Sequence, residues 1–87
     1  MKILKNAVAG TMESSDVYVQ IEPGTDGIQL QLESVVAQQF GESIQRVVRE
    51  VLQEQGVENA NIRVVDRGAL ECVIRARVET AILRGKE

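Results

Sequence analysis

The hydrophobic period of the chain changes at Ser34, and that change limits what the chain can fold into. Before Ser34, apolar residues fall on every second position. Val17, Val19 and Ile21 alternate with Tyr18 and Gln20, and Ile28, Leu30 and Leu32 alternate with Gln29 and Gln31. After it, Val36, Phe40, Ile44, Val47, Val48, Val51 and Leu52 recur at three- and four-residue spacing. Alternation puts side chains on opposite faces of a strand, whereas the wider spacing gathers them on one face of a helix. The chain is therefore expected to run through strands into one long helix with a buried stripe.

Turn-forming residues divide the strand region. Residues 6–12 are the expected first strand and 16–22 the second. Glu13-Ser14-Ser15-Asp16 between them is short, polar and rich in turn formers, which predicts an exposed hairpin tip. Gly10 predicts a bulge or a close backbone approach. Pro23-Gly24-Thr25-Asp26-Gly27 is the strongest turn signal, and 28–33 is the third strand. Three consecutive strands joined by short turns predict an antiparallel meander.

Ser34 is the expected N-cap of the long helix. Gly41, in its interior, costs about 1 kcal/mol against alanine, which predicts that something packs closely there. Gly56 is the expected C′ residue. Residues 60–66 form a fourth strand, so strand, helix and strand make a βαβ-type crossover. From Leu70 to Leu83 the apolar residues have helical spacing. Cys72 to Val78 also fits a strand, and helix is the favoured reading. The tail, Gly85-Lys86-Glu87, is expected to fray. The sum is an α+β fold in a single domain spanning residues 1–87. It has a small, mostly antiparallel sheet (a three-strand meander plus a fourth strand) packed against one long helix and a C-terminal helix.

Composition narrows the function. In 87 residues, 10 basic and 13 acidic side chains give a formal net charge of −3. A mildly acidic chain with no basic run and only Tyr18 and Phe40 as aromatics is not built for nucleic acid. No apolar run approaches the roughly 20 residues of a membrane helix. The opening residues are too poor in apolar side chains for a signal peptide. The lone Cys72 has no disulfide partner in the chain, and a cytoplasmic setting is expected. Cys72 itself is expected to be a small buried residue. The chain has no histidine. That removes Ser–His and Cys–His nucleophiles and the imidazole base, so chemistry must come from an attached group or from partners.

Met1-Lys2-Ile3, followed by Ala7-Val8-Ala9-Gly10-Thr11-Met12-Glu13-Ser14-Ser15-Asp16-Val17, resembles the start of the citrate lyase acyl carrier protein family, the γ subunit. Gln39-Phe40-Gly41, Gly68-Ala69-Leu70-Glu71-Cys72 and Arg75-Ala76-Arg77-Val78-Glu79 extend the resemblance along the chain. The resemblance implies a non-catalytic carrier. Its cofactor would be 2'-(5''-phosphoribosyl)-3'-dephospho-CoA, joined to Ser14 by a phosphodiester. Acetyl and citryl thioesters on that group would visit the α (acyl transferase) and β (lyase) subunits of citrate lyase. A loading transferase would install it. Ser15 is not the family's attachment point. Ordinary acyl carriers use an Asp-Ser-Leu motif at a helix start, which is absent here. The alternatives are the carrier subunit of a malonate decarboxylase and an unmodified interaction domain.

Two further expectations concern charge. Glu13 and Asp16 flank Ser14 and are expected to shape the turn and face solvent. Arg75, Arg77 and Arg84 are expected to form the solvated face of the last element, with docking of an acidic partner as the alternative.

Overall fold

The computed structural model describes residues 1–86. Four strands and two helices follow in order: β1 (Ala7–Gly10), β2 (Val17–Pro23), β3 (Ile28–Ser34), α1 (Ala37–Glu54), β4 (Ala60–Asp66) and α2 (Glu71–Gly85). The α+β class, the mostly antiparallel four-stranded sheet and the two helices are as expected. The segment from Leu70 onward, for which strand was the alternative, is helix from Glu71.

The order of the strands differs from a meander. The sheet runs β1-β2-β4-β3, so β4 lies between β2 and β3. β1 and β4 flank β2 antiparallel, while β3 and β4 are parallel in the register Leu30↔Ile62 and Leu32↔Val64. The cause lies in the crossover. α1 returns the chain to the same end of the sheet and delivers β4 beside β3 in the same direction. β4 also has the composition of a central strand: Ala60, Ile62, Val64, Val65 and Asp66 are all buried. The Pro23–Gly27 turn is therefore not a tight hairpin. It spans β4, whose Ala60 N–H donates to the Gly27 carbonyl at 3.1 Å.

One face of the sheet carries the core. Val17, Val19 and Ile21 of β2 are 0% exposed, and Ile62 and Val64 of β4 lie beside them. α1 brings Ile44, Val47, Val48, Val51 and Leu52 to this layer, and α2 brings Ile74, Val78, Ala81 and Ile82. Burying one such aliphatic side chain contributes about 1.5–3 kcal/mol. The Arg46–Glu50 pair on α1 is 3.6 Å apart and largely exposed, and such pairs contribute about 0–1 kcal/mol. The aliphatic layer therefore holds the fold.

Several local expectations are corrected. Phe40, expected in the buried stripe, is 51% exposed. It sits in the first turn of α1, opposite Gly68, Ala69 and Leu70, which leave a groove rather than a packed wall. Ser34 is not the N-cap. It ends β3, and α1 is capped by Val36 without a side-chain hydrogen bond. Cys72 is exposed, because it falls on the face of α2 opposite Ile74, Val78 and Ile82. Gly41 meets no neighbouring element: a Cβ there would touch only the Ala37 Cβ, at 3.8 Å. Gly85 does not fray. It is buried, and its carbonyl accepts from the N–H groups of Leu4 and Lys5. Glu87 lies outside the described residues.

Two glycine expectations stand. Gly10 pairs with Tyr18 at φ +88°, and a Cβ there would collide with the Val17 carbonyl. Gly56 is the C′ residue of a Schellman end: its N–H reaches the Gln53 carbonyl at 3.0 Å, and the Val57 N–H reaches the Leu52 carbonyl at 2.9 Å.

The misplaced aromatic gives a test. Leu52→Ala is expected to cost about 2–5 kcal/mol in urea unfolding, and Phe40→Ala less than about 1 kcal/mol. Equal losses would place Phe40 in the core.

Candidate functional site

The tip between β1 and β2 is held by a small polar network. The Asp16 N–H donates to the Glu13 carbonyl at 3.1 Å, closing a four-residue turn with Ser14 and Ser15 at its centre. Ser15 has φ +67°, the left-handed conformation that such a turn places at its third residue. Its N–H donates to the Arg67 carbonyl at 2.8 Å, and the Arg67 N–H donates to the Asp16 carbonyl at 2.9 Å. The tip is thus bonded to the chain just beyond β4 as well as to its own strands.

Asp16 is the centre of the network. Its carboxylate accepts from the Thr11 hydroxyl at 2.7 Å and from the Val17 N–H at 2.7 Å. Arg77, on α2, donates to both carboxylate oxygens at 3.1 and 3.2 Å, a fork-to-fork pair. Thr11 Oγ1 in turn accepts from the Glu13 N–H at 3.1 Å. These contacts favour the charged form and hold the Asp16 carboxyl below the ordinary carboxylate range, at about 2. The Thr11 hydroxyl is the largest cause, then the Val17 N–H, with Arg77 adding to both.

Asp66 anchors the other side. It is 1% exposed, and its carboxylate accepts from the Ser34 hydroxyl at 2.8 Å and from the Gly68 and Ala69 N–H groups at 3.2 and 2.9 Å. The Ser34 hydroxyl accepts from the Val36 N–H at 3.1 Å, so one buried carboxylate orders both the turn into α1 and the turn after β4. Beyond residues 66–69 lies an open apolar groove of about 330 Å³, flanked by Phe40, Val47, Leu70 and Ile74.

Ser14 stands outside all of this. It is exposed, and its hydroxyl, like that of the neighbouring exposed Ser15, takes no part in the network. Glu13 beside it is exposed. Asp16 departs from expectation: it shapes the turn, but its side chain is only 16% exposed and is fully engaged. The arginines reach solvent as expected but are each also engaged within the chain. Arg75 pairs with Glu54 at 2.7 Å, Arg77 with Asp16, and Arg84 donates to the Val8 carbonyl at 2.8 Å. All three bind within the chain. Thr11, Arg67 and Arg77 were not read as parts of the site from the sequence. Thr11 carried a signal, since a threonine two residues before Glu13 can accept its N–H. Arg77, 61 residues from Asp16, carried none.

The family model described as "Malonate decarboxylase delta subunit (MdcD)", an acyl carrier type, matches residues 4–85. Citrate lyase acyl carrier protein 2 of Salmonella typhimurium is 58% identical over 88 residues, covering 100% of this chain and 91% of the relative. The citrate lyase acyl carrier protein of Lactobacillus acidophilus is 47% identical over 87 residues, covering 100% and 90%. The chain belongs to the citrate lyase acyl carrier protein family. Acyl carriers of this kind are non-catalytic subunits that bear a covalently attached prosthetic group. The fold also matches a chain in the crystal structure of a Pseudomonas malonate decarboxylase hetero-tetramer in complex with malonate. The TM-score is 0.75 at 25% identity, covering 97% of this chain and 87% of that one.

The depressed Asp16 carboxyl predicts a pH signature. A carboxylate held lower in the folded chain than in the unfolded one stabilises the fold above about pH 4 and loses that effect as pH falls toward 2. Asp16→Asn is expected to be less stable at neutral pH and to lose less stability than the parent between pH 4 and 2, followed by thermal melts. Parallel pH profiles would contradict the network.

Proposed function

We propose that the whole chain is one carrier domain whose Ser14 hydroxyl anchors the family's phosphoribosyl-dephospho-CoA group, presenting acyl groups to the α and β subunits of citrate lyase. The carrying observation is the contrast within the turn. Ser14 is exposed and its hydroxyl takes no hydrogen bond, while Thr11, Asp16 and the Ser15 and Arg67 backbones hold the turn around it. Ser15 is exposed as well, and the family resemblance selects Ser14 between the two.

The residues present fit such a group. A phosphodiester needs one accessible hydroxyl and room around it, and Ser14 has both. Arg77 is committed to Asp16, whereas the exposed Arg67, bonded through its backbone to Ser15 and Asp16, is the cation beside the tip that could meet a phosphate. When bound, the group supplies a terminal thiol that holds acyl chains as thioesters. The chain's own part is positional. The Asp16 network and the Ser15–Arg67 hydrogen bond fix the root of the arm, and tethering keeps its far end at high effective concentration near neighbouring subunits. With no histidine in the chain, the proton leaving Ser14 during loading passes to a base on the loading transferase.

Identity favours the citrate lyase reading over the malonate decarboxylase one. The citrate lyase carriers are 47–58% identical, against 25% for the chain from the malonate decarboxylase structure.

Ser14→Ala is expected to abolish loading in a host with the citrate lyase loading enzymes, while its circular dichroism and melting stay those of the parent. Ser15→Gly, which suits the left-handed position, is expected to load. Intact mass reads both. A loaded Ser14→Ala chain would overturn the assignment.

A further inference from the structure

The two edges of the sheet are finished differently. β1 is only four residues long, and Arg84 occupies its Val8 carbonyl. β3 is seven residues long and, among the described residues, pairs only with β4 and leaves its other edge open. Proteins guard such edges with proline, lysine, bulges or a covering segment, because unpaired N–H and C=O groups recruit another strand. β3 has no proline and no basic residue, and its single charge, Glu33, lies one place from its end.

The layer above this edge is also unfinished. Ile28, Leu30 and Leu32 point to the core side of the sheet and pack against it but are only partly buried, whereas Val17, Val19 and Ile21 of β2 are fully covered. α1 packs over β3, and α2 packs over β1 and β2. Phe40 and Val47 lie on the flank of α1 toward Ile74 of α2. Helical spacing puts Ala37, Gly41 and Gln45 in a row on the opposite flank, overlooking the open edge. Gly41, which no contact within the chain requires, leaves that flank low.

We propose that this edge is the interface of a two-fold symmetric dimer, in which β3 of a second copy pairs antiparallel about Gln31. The occupant is argued from the sequence of β3, which is self-complementary in that register. Gln31 faces its own counterpart, Leu30 faces Leu32, Gln29 faces Glu33, and Ile28 faces Ser34. Apolar row meets apolar row, and no like charges oppose. Because one patch serves both copies, the contact closes on itself and stops at two. It joins two four-stranded sheets into one and brings the low flanks of two α1 helices side by side above the partly buried row. The Ser14 tip lies between β1 and β2, away from the β3 edge, so both hydroxyls stay accessible. The proposal is independent of what Ser14 carries.

The test is sedimentation equilibrium of the full chain across the micromolar range. The expected mass is twice the 9.6 kDa of one chain. Gln31→Lys sets two ammonium groups face to face and is expected to raise the dissociation constant roughly tenfold or more with unchanged circular dichroism. In a Cys72→Ser background, Gln31→Cys is expected to oxidise to a covalent dimer, and Gln53→Cys on the far side of α1 is expected not to. If Gln31→Lys unfolds the chain, the cysteine pair decides alone. A monomer at every concentration, or a dimer that Gln31→Lys leaves intact, would overturn the proposal. So would a monomer whose β3 amides gain exchange protection only when another subunit is added, since that assigns the edge to a different partner.

Discussion

The structure depends on where β4 lies. As the central strand it pairs with β2 on one side and β3 on the other, and it carries Ile62 and Val64 into the middle of the aliphatic layer. Its far end does the rest. Asp66, buried and fully hydrogen-bonded, fixes the turn into α1 through Ser34 and the approach to α2 through Gly68 and Ala69. The next residue, Arg67, exchanges backbone hydrogen bonds with Ser15 and Asp16. An exposed loop between two strands would otherwise be held only at its ends. Here it is also pinned at its middle, to the best-buried strand of the sheet.

That arrangement suits a carrier. A tethered arm gains from mobility at its far end and from a fixed root, because the volume it explores is then centred on one point. The tip supplies the fixed root through groups that point inward: Thr11, Asp16 and Arg77. It leaves Ser14 and Ser15 exposed, with neither hydroxyl in the network. Holding the turn falls to Thr11 and Asp16, with Arg77 reaching in from α2, and the proposed attachment falls to a different residue, Ser14.

The sequence revealed most of what is local. Period two before Ser34 and period near four after it placed β2, β3 and α1 to within a few residues, and Glu13-Ser14-Ser15-Asp16 marked the turn. What it hid depends on distance along the chain. No local pattern says that β4 separates β2 from β3; that follows from the parallel crossover and from β4 having the more buried composition. The Asp16–Arg77 pair joins residues 61 apart, and Arg77 taken alone is indistinguishable from a surface arginine. Phe40 and Cys72 were misplaced for different reasons. For Phe40, spacing tells which face a residue occupies but not whether a wall stands opposite; for Cys72, the apolar run around it suggests burial although helical spacing sets it opposite Ile74, Val78 and Ile82. The role of Ser14 came from resemblance rather than from geometry, since an exposed turn serine has no physical mark of its own.

The most direct measurement is fragmentation mass spectrometry of the protein isolated from cells that express the citrate lyase loading enzymes. The account predicts one phosphoribosyl-dephospho-CoA per chain, with the added mass confined to fragments containing Ser14 and absent from those beginning at Ser15. An unmodified chain from such cells, or the group mapped to Ser15 or to any other residue, would contradict it.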